Sequence, residues 1–513
     1  MSTSTYEYSS RVQDVSFNDL LVEQLRATPW LVLSFAIHVV IAIVLLYIGT
    51  SDIRQEQLAE FTAAAEMQDE IPVDPLEDDP VPVEVAPDSP QVDDHSPIDI
   101  DDKPTETNTE SEWDEEADAD DSLDKQDFEA DNKNKAVIGI GGGAPGAFGR
   151  GRGGDGNHGR KKRKPGAKEL RLGLEWLARH QSPDGRWDAD NYMSNGDPKL
   201  GALCTGKGSA MYDVGVSGLA LLAFLGAGHT HREGPHKLTV RKGLKWMKSQ
   251  QDAEGCFGSR GDPHFTYNHA IAALAMAEAY GMTRSGLWRN VAQNGINFVM
   301  KCQNPYKAWR YGERPGDNDI SVSGWMVMAL KSAKMAGLDM NDTALQWAHD
   351  FCKEMTDEET GRTGYTKRGE RPVRAEGRLE QYPAEESESM TAAGMLIRIF
   401  AGEDPKTSDA IKMGAELISR RLPVWAPKQG KADMYYWYYA TLSMFQVGGR
   451  EWTAWNNRMK PAIIDTQRGD GNFGGSWDPV GPWGEDGGRV YSTALMTMCL
   501  EVYYRYPRVF GTK

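Results

Sequence analysis

The sequence predicts an all-α protein. Its main domain is an (α/α)6 toroid of six helical hairpins, preceded by one transmembrane helix and a disordered acidic linker. Three observations lead there. From Lys168 onward, helical stretches with one polar face alternate with stretches that are apolar or aromatic nearly all round, six of each. A short motif closes members of the first set at a spacing of roughly 50 residues, the signature of a repeat architecture. No stretch shows strand-type alternation, and the loop spacing excludes a coiled coil.

The motif is seen in "GLEWLARHQSPDGRWD" from Gly173, "GLKWMKSQQDAEGCFG" from Gly243, "GINFVMKCQNPYKAWRYG" from Gly295 and "AIIDTQRGDGNFGGSWD" from Ala462. Each helix runs into a Gln, a tight turn and an aromatic ring. The polar-faced helices are predicted over 168–181, 238–251, 290–303, 343–355, 407–421 and 455–467, as an outer layer. The apolar ones begin near Asp213, Thr266, Asp319, Glu388, Met434 and Arg489, and helices apolar on every side are buried. A hairpin with so much apolar surface must stack on neighbours, and six pairs suit a closed ring whose inner helices surround a central cavity.

The first part of the chain is different. Residues 1–28 precede "PWLVLSFAIHVVIAIVLLYIGT", and 29–49 is long and apolar enough to span a bilayer. Arg11 and Arg26 before it, against an acidic following side, predict a single pass in the inner membrane with the N-terminus inside and the toroid in the periplasm. Residues 51–136 hold about 30 Asp and Glu against about 5 Lys and Arg, a local net near −25 within the chain's −18. Such a stretch buries too little apolar area to fold and is expected to be an extended tether. Residues 137–167 form a Gly-rich basic hinge. Its "GIGGG" lacks the helix and acidic residue that a dinucleotide site needs, and no cofactor is predicted. The acidic runs "DADD" and "DDSLD" are compositional. Nucleic acid is excluded as a partner by the expected location.

Two resemblances arise from these residues. The apolar span, with Ser34 and His38 four apart on one face, resembles the membrane anchor of the TonB family. That resemblance implies anchor coupling through Ser34 and His38 to the subunits of a proton-driven ion-channel complex. The Gln-aromatic pairs Gln181 with Trp187, Gln303 with Trp309 and Gln467 with Trp477, and Gln250 or Gln251 with Phe257, resemble the Gln-Trp repeat of squalene–hopene cyclases and the wider terpene cyclase and protein prenyltransferase superfamily. It covers about 340 residues. It implies that reactive groups sit at the N-terminal ends of the inner helices.

There the sequence places Asp317, Asp319, His269 and Glu388 as candidate catalytic groups. Asp213, Trp325, Tyr436, Trp437, Tyr491 and Trp483 are candidates for the ligand cavity. The cyclase acid pattern is incomplete, because Asn318 and Ile320 flank Asp319, and a strongly acidic carboxyl needs carboxyl neighbours. Classical squalene cyclisation is therefore not expected. No zinc or other metal is predicted, since Cys256 and His269 lack a matching Asp-x-Cys. The five cysteines are expected to be buried thiols, and His229, His231 and His236 to lie in a solvated turn. The long connection from Arg362 to Glu386 leads into the same mouth and has the length of a lid. Three functions remain open: a toroid that binds or transforms an isoprenoid or other lipid, a carbohydrate-active lyase or hydrolase, and a non-catalytic envelope module working through its anchor.

Overall fold

The computed structural model describes residues 38–39, 166–374 and 377–502; the predicted membrane span, linker and hinge lie outside the described residues apart from His38 and Val39. Those two are helical and exposed, and no described helix is long and apolar enough to cross a membrane. The chain divides into units Met1–Ile100 and Asp101–Lys513, and the helices of the ring all belong to the second.

From Ala167 to Leu500 the chain forms twelve α-helices, and no strand is present among the described residues. The outer helices are α1 (Ala167–Arg179), α3 (Lys237–Ser249), α5 (Gly286–Cys302), α7 (Asp342–Met355), α9 (Asp409–Ser419) and α11 (Gly449–Ile464). The inner helices are α2 (Asp213–Gly226), α4 (Phe265–Thr283), α6 (Ile320–Met335), α8 (Ser389–Ala401), α10 (Met434–Val447) and α12 (Gly484–Leu500). Each inner helix packs on the next, α2 on α4, α4 on α6, α6 on α8, α8 on α10 and α10 on α12, and α12 returns to α2. That return makes the fold a closed (α/α)6 toroid. The outer helices bury one stripe each: in α1, for example, Leu170, Gly173, Leu174, Trp176 and Leu177. In α2 every residue from Val214 to Gly226 is buried, as the all-round apolar pattern requires.

The recurring motif is the staple of this ring. The amide N–H of Gln181 donates to Gly185 O at 2.8 Å within its own turn and to Thr239 O of the next outer helix at 3.0 Å. Gln251 does the same with Gly255 and Val291, and Gln303 with Lys307 and Ala344. Gln467 joins α11 back to α1 through Glu169 O at 2.7 Å. Of the two candidates in the second repeat, Gln251 is therefore the staple. The turn glycines Gly185, Gly255 and Gly475 have φ of 105°, 96° and 99°, and a Cβ there would lie 2.2–2.3 Å from a carbonyl of the next outer helix. Only glycine satisfies both conditions. The aromatic ring then lies on a helix glycine: Trp187 on Gly243, Phe257 on Gly295, Trp477 on Gly173. This is why three of the four quoted stretches open with glycine, at Gly173, Gly243 and Gly295.

The backbone N–H of each staple aromatic is satisfied by the next inner helix. Trp187 donates to Ser217 Oγ (2.9 Å), Trp309 to Ser323 Oγ (3.3 Å) and Trp477 to Thr493 Oγ1 (3.4 Å). In the second repeat Phe257 donates to His269 Nδ1 at 3.1 Å, and His269 Nε2 meets Gly295 O at 3.1 Å.

Two expectations are revised. The turn after α2 is not solvated: His229 and His231 are buried, His229 lies edge-on to His236, and Trp288 Nε1 donates to His231 Nδ1 at 3.1 Å. The centre of the ring is also not an open cavity at depth. Trp325 of α6 stacks on Tyr438 of α10 with centroids 5.5 Å apart and meets Tyr439 edge-on, so aromatic rings from helices that are not neighbours fill the middle. All five cysteines are free and buried.

Candidate functional site

Above this aromatic plug, the connections from outer to inner helices converge on one mouth. Asp319 lies at the start of one inner helix on this side. It is the N-cap of α6: Oδ1 accepts the N–H of Val322 at 2.7 Å, a cap expected of Asp. Oδ2 has no hydrogen-bond partner, with Arg310 Nε 3.8 Å away. The residue is fully buried, and burial pushes its carboxyl up to about 7 despite the opposing Val322 N–H and Arg310. An acid near neutrality with a free oxygen is suited to general acid work.

Tyrosines surround it. Tyr267 donates to Ser321 Oγ at 2.8 Å, and Ser321 Oγ is 2.6 Å from Tyr435 OH. Tyr311 and Tyr365 are joined through their hydroxyls, and the Arg310 guanidinium lies over both rings at 5.3 and 5.7 Å. His264 packs edge-on against Tyr311 at 4.5 Å and faces Tyr212 OH at 3.3 Å. Burial lowers its imidazole pKa, so it is a neutral base at pH 7. Trp483 lies edge-on to Tyr435, and Trp483 Nε1 and Tyr491 OH are buried without a partner. The tyrosines that the Asp319 carboxylate would repel have their pKa raised, chiefly by burial. They stay neutral hydrogen-bonding groups with electron-rich faces.

The connection between α7 and α8 reaches across this mouth. Tyr365 meets the third repeat at Tyr311. Arg374 forms a buried ion pair with Asp433 at 3.0 Å, both side chains 2% exposed, and Arg378 pairs with Glu485 at 2.8 Å in the sixth repeat. One loop thus touches three other repeats and shields Asp319.

The other predicted residues take varied places. Asp317 is exposed and pairs with Arg310 at 2.8 Å. Glu388 is buried against Arg362, whose Nε and Nη2 hold it in a bidentate pair, with Thr391 as a third donor. Its charge is spent there. His269 is occupied at both nitrogens by the staple, and burial lowers its pKa to about 3. It replaces the Ser or Thr of the other repeats, and is fixed away from any ligand. Tyr436 and Trp437 turn from the mouth to the outer layer: Tyr436 donates to Arg421 O at 3.0 Å, and Trp437 packs on Trp425. Trp325 belongs to the plug. Trp483 and Tyr491 do face the mouth. Ser34 lies outside the described residues. Asp213 accepts the N–H of Ala189 and pairs with Arg186, and burial raises its carboxyl to about 6. With Asp188 and Asp190 it forms a group of carboxylates within 4.8 Å of one another. Arg186 already supplies positive charge there, 3.0 Å from Asp188 and 3.2 Å from Asp213.

Sequence reasoning missed Arg310, Tyr311, Tyr365, His264 and Tyr212. One signal was available for two of them. Arg310 and Tyr311 directly follow Trp309, and a chain that leaves a fixed staple enters the mouth.

No protein-family model and no curated protein matches the chain. Solved structures do. An inactive variant of an α-1,6-mannanase of Salegentibacter sp. HEL1_6, in complex with α-1,6-mannotriose, is 11% identical; the match covers 65% of this chain and 98% of that one, with a TM-score of 0.45. The type II terpene cyclase MstE from Scytonema is 12% identical over 66% of this chain and 96% of its own, with a TM-score of 0.41. A novel α-amylase from Clostridium perfringens is 14% identical over 66% and 98%, at 0.41.

Proposed function

We propose that the mouth of the toroid binds an isoprenoid or other lipid, and that Asp319 is its proton donor or hydrogen-bond donor. The observation that carries this reading is the Oδ2 atom of Asp319, buried, without a hydrogen-bond partner though 3.8 Å from Arg310 Nε, on a carboxyl that burial pushes up to about 7. The half-buried faces of Tyr267, Tyr311, Tyr365 and Trp483 offer apolar contact and stabilise a developing positive charge. Asn318 cannot act as a second acid, since a carboxamide has no acidic proton, and its Oδ1 accepts from Asn304 and Ala308. Ile320 is fully buried. A lone acid of this strength suits protonation of an oxygen, as in an allylic alcohol, ether or epoxide, rather than of a bare alkene. Squalene-type cyclisation is not part of the reading. His264 is placed to accept a proton at the far side of Tyr311.

Glycoside hydrolysis needs two carboxyl groups flanking the bond. Glu388 is neutralised by Arg362, which weakens that alternative. The plugged centre favours a second reading, a non-catalytic module that holds its ligand only at the mouth. In either case we propose that the toroid is held at the inner membrane by residues 29–49, and that Ser34 and His38 couple it to an ion-channel complex.

The test is lipid extraction and native mass spectrometry on the purified full-length protein, beside the Asp319→Asn and Trp483→Ala variants. A stoichiometric lipid retained by the wild type and by Asp319→Asn, but lost in Trp483→Ala, supports mouth binding. Turnover of that lipid by the wild type and not by Asp319→Asn makes it an enzyme. An empty wild-type protein sinks both readings.

A further inference from the structure

The outer surface of the ring is electrically lopsided. Helix α3 carries Lys237, Arg241, Lys242, Lys245 and Lys248 and not one Asp or Glu. Its neighbour α5 adds Arg289 and Lys301, again with no acid in the helix. Further round, α7 carries Asp342, Asp350 and Glu354. On α3, Leu238, Lys242, Lys245 and Lys248 are all exposed, and Leu238 keeps 59% of its surface. Steps of three and four place them on one face. Lys242, Lys245 and Lys248 form no ion pair among the described residues; the nearby acids Glu254 and Glu175 pair with other cations. Like charges at such spacing repel and lower helix stability. A face built this way is more stable under a counter-anion.

We propose that this face of α3 is a docking surface for the chain's own acidic stretch Asp101–Asp131. That stretch holds 15 Asp and Glu against 2 Lys. The argument rests on charge complementarity and on where the chain enters the ring. The chain joins the toroid at Gly166, the residue before α1. Helix α1 is stapled directly to α3 through Gln181 and Thr239. Neighbouring outer helices lie roughly 10 Å apart, and the residues between Asp131 and Gly166 have a contour of up to about 3.3 Å each, so reach is no obstacle. Linkage also raises the effective concentration to the millimolar range, where several weak ion pairs suffice. The bound acidic stretch more than offsets the five cations of α3 and holds the tether along the ring instead of away from it. This inference is independent of what the mouth binds.

The experiment is zero-length carbodiimide cross-linking of the purified full-length protein, mapped by mass spectrometry. Cross-links should join carboxylates of 101–131 to Lys242, Lys245 or Lys248. They should fall by about tenfold between roughly 20 mM and 500 mM NaCl, as the screening length shrinks below the ion-pair reach. A Lys242→Gln, Lys245→Gln, Lys248→Gln variant changes only exposed positions and should keep its melting temperature. In it, proteolysis within 101–131 should speed up. Cross-links from 101–131 spread evenly over other toroid lysines, or insensitive to salt, overturn the proposal. So does loss of phosphatidylglycerol-vesicle binding in the triple variant with no change in proteolysis, because the occupant is then a lipid surface.

Discussion

A carboxyl group buried as deeply as that of Asp319 costs stability whenever it is ionised. Its folded pKa of about 7 lies above the ordinary value of 3.8. The cost is therefore full at pH 8 and is relieved as pH falls through 7 toward 4. Asp319→Asn keeps the Val322 cap and removes the charge. It should raise the unfolding free energy read from urea titration at pH 8 by an amount on the order of 1–2 kcal/mol, with no difference at pH 4, while any turnover disappears. Equal or lower stability at pH 8 would show that Arg310 compensates the charge. At His269 the expectation is the reverse. His269→Ala should cost about 2–4 kcal/mol, through the lost Phe257 and Gly295 bonds and a cavity, and leave lipid occupancy of the refolded protein unchanged. The cap role of Asp319 was legible in the sequence, because Asp before an apolar helix is a helix start. Its orphan oxygen was not, since burial depends on Tyr365, which arrives from another repeat. His269 looked chemical because imidazole is versatile. Only its place opposite Phe257, equivalent to Ser217 and Ser323, reveals it as a staple.

At the level of elements, the toroid was legible because two periodicities agree. The Gln-turn-aromatic motif marks where outer helices end, and all-round apolarity marks the inner ones. Nine of the twelve observed helices start within two residues of the expected ones, as helix ends allow, while α5 and α11 begin four and six residues early. Helix α12 begins five residues early, at Gly484, and contains Gly488 with φ 67°, so the stretch expected from Arg489 is its part beyond a kink. The plug was not legible: Trp325 and Tyr438 come from non-neighbouring helices, and no local pattern tells a ring that lines a cavity from one that fills it. The α7–α8 connection also acquires its meaning from long-range partners. Arg374→Met should cost about 3–5 kcal/mol, because it leaves the Asp433 charge buried and unpaired. Adding Asp433→Asn should recover most of that loss, which chemical unfolding of the pair of variants can read.

For the whole molecule, buried neutral histidines set the response to acid. Burial holds His180 at about 4, and His229 and His269 at about 3, against 6.5 in an unfolded chain. Above pH 6.5 these rings are unprotonated in both states and their contribution to stability is complete. As pH falls below 6.5 the unfolded chain takes up protons first, so stability declines until the folded values near 3–4 are reached. The urea midpoint should therefore drop steadily from pH 6.5 to 4, more shallowly in His269→Ala. A flat profile would mean that the rings find partners on protonation.

The hydrogen bond from Gln467 to Glu169 joins residues 298 positions apart. A ring differs from an open stack of repeats in that its last piece must find its first. Until α11 and α12 exist, the apolar flanks of α1 and α2 have nothing to cover them, so the growing chain carries a sticky edge for most of its synthesis. Closure of such distant ends is slow. The protein should thus fold in one late step rather than repeat by repeat, and a chain stopped after Ile464 should aggregate. A circular permutant opened between the exposed residues Lys406 and Thr407, with old ends linked, should refold, because it keeps every staple and only changes which joint is made last.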